Sequence, residues 1–154
     1  NILIGVFTAD CLGILVVDET TPCICAIHSG WKGTTLEITK KCLNELIEKE
    51  LIHPESCHVY FSPSIQYDSL EVGMEVVEQM KQISIDTTPF IRYMPNEKAY
   101  IDNQGINIAM CKDLGIPDKN IHPSKYDTKK ELDICFSYRN DKQTGEHFTF
   151  GYIK

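Results

Sequence analysis

Thr8-Ala9-Asp10-Cys11-Leu12-Gly13-Ile14-Leu15-Val16-Val17 is followed, across Asp18-Glu19-Thr20-Thr21-Pro22, by Cys23-Ile24-Cys25-Ala26-Ile27-His28-Ser29-Gly30-Trp31-Lys32-Gly33-Thr34. Leu12 to Val17 and Cys23 to Ile27 are apolar runs without helical periodicity, the pattern of buried strands. The acidic segment ending at Pro22 is a turn, because proline cannot donate to a ladder. The two strands therefore form a hairpin. Antiparallel pairing sets the start of one strand beside the end of the next. Cys11 and His28, seventeen residues apart, thus meet at one sheet edge, within reach of a shared ion. Glycine on both sides of Trp31-Lys32 implies backbone pressed close to a neighbour.

Ile2 to Phe7 reads as a further buried strand. The chain starts with Asn1 inside this run, so the expectation is that an N-terminal part is missing. A helix is expected from Gly33 or Thr34 to about Glu50, with Thr34 and Glu37 as a capping box. Leu36, Leu43, Leu46 and Ile47 form its apolar face, and its N-terminus favours an anion. Cys57–Phe61 reads as a strand and Val72–Ile83 as a helix. Residues 86–96 read as irregular, broken by Pro89 and Pro95. Ala99-Tyr100-Ile101 is a short strand. Asp102 or Asn103 caps a helix to about Leu114, stopped by Gly115-Ile116-Pro117. Lys119–Glu131 reads as a polar surface loop and Asp141–Gly145 as a hairpin turn into a final strand, Phe148–Ile153. The expectation is one mixed α/β domain over residues 1–154, its sheets flanked by helices.

The chain has 154 residues, a formal net charge of −7 and two arginines, Arg92 and Arg139. That balance argues against nucleic acid as a partner, since phosphate backbones demand clustered positive charge. No apolar run approaches the roughly 20 residues of a membrane span. Seven cysteines, an odd number and without a Cys-x-x-Cys pair, fit buried thiols in a reducing cytosol better than a disulfide framework.

Cys11 and His28 are the first candidates for chemistry. They suit a zinc site, which takes sulfur and imidazole nitrogen, or a nucleophile–base pair. A buried thiol beside a satisfied histidine is the plainer alternative. Asp10 orients His28, accepts a ligand hydroxyl or caps a turn. Trp31 stacks on a planar ring or fills core. Lys32 meets phosphate or solvent. Arg139, in Phe136-Ser137-Tyr138-Arg139-Asn140-Asp141, suits an anion or pairs with Asp141. His53, His58, His122 and His147 show no ligand spacing.

Thr8-Ala9-Asp10-Cys11-Leu12, His28-Ser29-Gly30-Trp31-Lys32-Gly33-Thr34, Glu71-Val72-Gly73 and Phe136-Ser137-Tyr138-Arg139 with Thr144-Gly145 occur in an order that resembles the YfiH-like family. That family carries the labels laccase-domain protein, polyphenol oxidase and purine nucleoside phosphorylase. The resemblance implies a layered α/β fold, likened to cysteine hydrolases, and a zinc ion held by one Cys and two His. By position Cys11 and His28 match two of the ligands, and the other His lies upstream of the first motif. The implied activities are phosphorolysis of adenosine, inosine and guanosine, and adenosine deamination. Cys11, His28 and Asp10 are the catalytic candidates on this reading. Trp31, Lys32 and Arg139 are the candidates for binding purine nucleoside and phosphate. A cysteine hydrolase with Cys11 as nucleophile and His28 as base, a copper-dependent polyphenol oxidase and an inactive homologue are the alternatives. Four positions depart from the family pattern. Gly13 stands where Pro is usual, Lys32 replaces Arg, Asn140 replaces a second Arg, and Ser62-Pro63 stands where Gly-Pro is common.

Overall fold

The computed structural model of the chain describes residues 2–153. The hairpin at its centre is formed by β2 (Leu12–Asp18) and β3 (Cys23–Ser29), with Leu12 opposite Ser29 and Gly13 opposite His28. Both strands run further than their apolar runs imply, so His28 lies inside the ladder. The turn is built on Asp18, a 4% exposed carboxylate. It accepts hydrogen bonds from Thr20 N and Oγ1 (both 2.7 Å), Thr21 N, Ser56 Oγ and His53 N. Burial alone would raise the Asp18 carboxyl, but these donors outweigh it and hold it well below the ordinary carboxylate range.

β4 (Cys57–Phe61) pairs antiparallel with β2, and β8 (Ile121–His122) pairs parallel with β4, giving the order β3-β2-β4-β8. β1 (Ile2–Thr8) and β9 (His147–Ile153) form a separate antiparallel ribbon, Ile2 opposite Ile153. One side of this ribbon lies on the hairpin, where a Cβ added at Gly151 would meet Leu15 at 3.2 Å. The other side is open. Phe7 and Phe148 stack at 4.4 Å and Phe148 and Phe150 at 5.1 Å, all exposed. β1 is therefore a strand, as expected, but not a buried one. A run of apolar residues does not reveal whether its second face is covered.

A third sheet has the order β5-β7-β6, from β5 (Glu71–Gly73), β6 (Ile91–Met94) and β7 (Lys98–Ile101). β6 corrects the irregular reading of residues 86–96, and β8 the reading of 119–131 as loop. β9 pairs with β1, so Asp141–Gly145 is a turn but not a hairpin turn.

The helices also differ from expectation. α1 (Trp31–Thr35) starts two or three residues early, N-capped by Gly30, and stops after five residues. Glu37 then takes a left-handed conformation at φ 55° and α2 (Ile38–Glu48) begins. No capping box forms. The Glu37 carboxylate instead accepts from Ser84 N and Oγ. α3 (Met74–Met80) is shorter than the predicted helix because Val72 belongs to β5. α4 (Asn103–Asp113) is capped as expected, with Asp102 accepting from Gly105 N at 2.8 Å.

α4 packs between two apolar clusters. Cys111 joins Leu12, Ile14, Val59 and Leu43 of the four-stranded side. Ile106 and Met110 join Val72, Val77, Met80 and Ile101 of the three-stranded side. Asn103 and Asn107, one turn apart on α4, face the end of β3. Asn107 is fully buried and donates to Thr34 Oγ1 (2.9 Å) and Asn103 O (2.8 Å). It accepts from Thr39 Oγ1 (2.7 Å) and Ser29 Oγ (3.1 Å). One amide thus ties β3, α1, α2 and α4 together. Among the described residues no helix is long and apolar enough to cross a membrane.

Candidate functional site

The site is built where the hairpin's open end meets the first turn of α1. Cys11 precedes β2 and is half-buried, while His28 near the end of β3 is exposed. A Cβ placed on Gly30 would lie 2.6 Å from Cys11 Sγ. The glycine before Trp31 is thus pressed close to a neighbour, as read from the sequence, and that neighbour is the thiol. Cys11 and His28 together line two hollows. One continues along Thr8, Tyr138 and Glu146, the other along Trp31 and Lys32. On its other side Cys11 borders a cavity of about 250 Å³ with Trp31, Asn103, Tyr138, Arg139 and Lys142 in its wall.

Asp10 does not serve His28. Its backbone is left-handed at φ 80°, where its short polar side chain is tolerated. Its Oδ1 accepts from Thr128 Oγ1 (2.6 Å) and its Oδ2 from Arg139 N (2.6 Å). Its carbonyl accepts from Ile65 N at 2.9 Å. With both oxygens engaged, Asp10 is a clasp that fixes the 128–139 segment over the site. Arg139 makes no pair with Asp141; its Nη1 donates to Glu71 O at 3.1 Å, which leaves other guanidinium donors for an anion. Trp31 packs partly against the second cluster and partly lines the cavity. Lys32 Nζ stands 5.5 Å from the Trp31 ring centroid, an exposed cation–π contact. The expected anion seat at the start of a long helix is not formed, because α1 has five residues.

The cavity holds residues that sequence reasoning passed over. Lys142 has the sequence context of a turn, yet it lines the wall with its Nζ 4.0 Å from the Tyr138 ring centroid. Asn103 was read as a helix-capping candidate. Among the described residues the buried side-chain polar atoms without a hydrogen-bond partner are Thr8 Oγ1 and Asn103 Oδ1. Both residues line cavities that share Cys11. Unpaired buried polar atoms are costly and mark places where a protein holds groups ready for something else. Against an overall charge of −7, the cavity wall sets two cations, Arg139 and Lys142, against one carboxylate, Asp10.

Burial, and then the Asp10 carboxylate, push the Cys11 thiol up. Unaided, it is a poor nucleophile at neutral pH; a cation beside it would favour the thiolate. Among the described residues no group of three or more His, Cys, Asp or Glu side chains is placed to hold a metal. Cys11 and His28 are a two-donor set of the kind zinc accepts. His58 and His122, which showed no spacing in sequence, lie with ring nitrogens 3.1 Å apart beside Tyr60, away from this site.

Two of the positions that depart from the family pattern meet in the structure. Gly13 N donates to Ser62 Oγ at 2.8 Å. A proline at 13 has no N–H to give, and a glycine at 62 has no hydroxyl to receive it. The pair replaces both at once.

The family described as multi-copper polyphenol oxidoreductase laccase matches residues 1–154. A protein of Staphylococcus epidermidis named purine nucleoside phosphorylase SERP0752 is 30% identical over 151 residues, covering 97% of this chain and 56% of that protein. Adenosine deaminase RL5, from an unknown prokaryotic organism, is 34% identical over 156 residues, covering 100% of this chain and 59% of its own. The crystal structure of the Bacillus licheniformis protein YfiH superposes with a TM-score of 0.94 at 23% identity, over 99% of this chain and 58% of that one. The chain thus spans little more than half the length of these relatives. A fold match along nearly the whole chain agrees with a family match from end to end: the chain belongs to the YfiH-like, laccase-domain family.

Proposed function

We propose that this chain supplies the nucleoside- and anion-binding wall of a zinc-dependent enzyme that phosphorolyses purine nucleosides and deaminates adenosine. The observation that carries the reading is the cavity beside Cys11, which combines the aromatic planes of Trp31 and Tyr138 with two cations, Arg139 and Lys142. Relatives named purine nucleoside phosphorylase and adenosine deaminase support it. Cys11 and His28 would hold zinc with at least one further donor. When bound, the ion supplies Lewis-acid polarisation next to the thiol.

The chain's own residues do the rest. Trp31 offers a flat apolar face for the purine. Arg139, held to Glu71 O, and Lys142 neutralise phosphate as its oxygen bonds to ribose C1′ and the C1′–N9 bond breaks. The electron pair leaves with the base, which takes up a proton. Asp10 acts by position, fixing Arg139 through its backbone N–H. The protein, loaded with zinc, is incubated with adenosine and phosphate and the products are separated by chromatography. Adenine with ribose 1-phosphate, or inosine, is the expected result. A folded, zinc-bound protein that yields neither overturns the reading.

A further inference from the structure

We infer that Asn103 is the residue that reads the base in this cavity, its Oδ1 accepting a hydrogen bond from an exocyclic amino group of a 6-aminopurine. The inference rests on the nucleoside reading above and goes beyond it by naming the atom that sets the preference.

Asn103 is 6% exposed and opens α4. Its Nδ2 donates to Ser29 O at 2.9 Å. A backbone carbonyl only accepts, so this bond fixes which end of the amide is which. The remaining atom, Oδ1, is an acceptor with no partner among the described residues. An acceptor cannot welcome an anion or a carbonyl oxygen. Phosphate therefore belongs with Arg139 and Lys142, which hang on Glu71 and Tyr138, not with Asn103, which hangs on β3. The lining shared with Asn103 includes the aromatic and aliphatic side chains of Trp31, Ile65 and Leu70.

Oδ1 is recessed, almost closed off at the protein surface. A ring N–H, flush with the purine edge, is badly placed to reach it. A donor that projects beyond the ring outline is well placed, and the 6-amino group of adenosine is one. The 6-oxo group of inosine projects equally far and is an acceptor, which sets two lone pairs against each other. Because Oδ1 is already desolvated, a donor that reaches it forms its bond without first stripping water from the protein side. Sites of this kind discriminate strongly against ligands that lack the donor.

The test compares nucleosides on the unmodified zinc-loaded protein without phosphate, by competitive binding read in stopped flow before adenosine is deaminated, with inosine followed by chromatography. Adenosine is expected to bind about ten-fold or more tightly than purine riboside, inosine and N6,N6-dimethyladenosine. The 2′- and 3′-deoxyadenosines separate the amino group from the other projecting donors, the ribose hydroxyls, and are expected to keep adenosine's advantage. Asn103→Leu is expected to bring the adenosine to purine riboside ratio close to one. Its melting temperature reports whether losing the bond to Ser29 O harms the fold, and the wild-type contrast stands without it. Equal binding of adenosine and purine riboside overturns the inference and leaves the nucleoside reading intact. A ten-fold loss on removing a ribose hydroxyl, abolished by Asn103→Leu, assigns Oδ1 to the sugar and also overturns it. Binding of no nucleoside at all overturns both.

Discussion

Replacing Gly30 by alanine separates the site from the fold. Gly30 sits at φ −68° and ψ 175°, extended backbone that alanine adopts without strain. The added methyl would lie 2.6 Å from Cys11 Sγ and 3.6 Å from Cys11 Cβ. Non-bonded contacts settle at roughly 3.5–4.0 Å, so the sulfur must retreat by about 1 Å. Sγ ends a short side chain with one rotatable bond, so the retreat needs a rotation rather than a backbone shift. Overpacking costs about 1–3 kcal/mol, and loss of glycine's freedom in the unfolded chain returns about 0.4–1 kcal/mol. The net is about 1 kcal/mol, a melting shift of roughly 2–4 °C for a chain of this size. Metal–ligand distances, by contrast, tolerate deviations of only about 0.2 Å. Zinc affinity is expected to fall at least ten-fold, read by competition against a chromophoric chelator, with melting followed in the metal-free state. Wild-type zinc affinity in Gly30→Ala, with melting changed by only a few degrees, would refute the placement of Cys11 Sγ as a ligand held by Gly30.

The buried turn and the polar network invite further tests. Asp18→Asn keeps the shape of the turn but removes the charge that its five donors address, and should cost about 2–4 kcal/mol in urea unfolding at neutral pH. The Asp18 carboxyl is depressed in the folded state, so its contribution is complete above the ordinary aspartate value near 3.9 and lost as pH falls below it. The stability gap between wild type and Asp18→Asn should therefore narrow from about pH 4 downward. Asn107→Ala should cost about 2–4 kcal/mol in the same assay, because it strands the Thr39 hydroxyl in the core and leaves those of Ser29 and Thr34 only each other. Gly13→Pro and Ser62→Gly should each destabilise, and a double-mutant cycle should give a smaller loss for the pair than the sum, by about 1 kcal/mol or more. Additivity would show that the Gly13–Ser62 bond does not link the two positions.

The hairpin and its consequence were legible because turn chemistry and strand alternation are local. Asp18 to Pro22 could only turn, and antiparallel geometry then brought Cys11 and His28 to one end. What escaped depends on partners distant in the chain. β6 reads as loop because it lies between two prolines and buries only Ile91. β8 has two residues and exists because β4 offers it an edge. The break at Glu37 follows from its tie to Ser84, 47 residues away, which no helical periodicity reveals. In the site, the wall residues Trp31 and Arg139 stand in motifs legible in the sequence, whereas Asn103 and Lys142 do not. Asp10 stands in a motif legible in the sequence, but its partners lie 118 and 129 residues further on. Lys142 and Asn103 carry no local signature of a cavity. Only the docking of α4 and of the 128–142 segment puts them there.

The Asp10 clasp also dictates an order of assembly. The β2–β3 hairpin has short loops and can form early during synthesis, which aligns Cys11 and His28 while most of the chain is still unmade. The contacts that close the site over them, Thr128 and Arg139 on Asp10 and β9 on β1, span well over a hundred residues and pay their loop-closure entropy last. A nascent chain therefore leaves the Cys11 thiol open to oxidants and competing metal ions until β9 is in place. For this protein, the interval between making Cys11 and docking Arg139 is when the site is easiest to spoil.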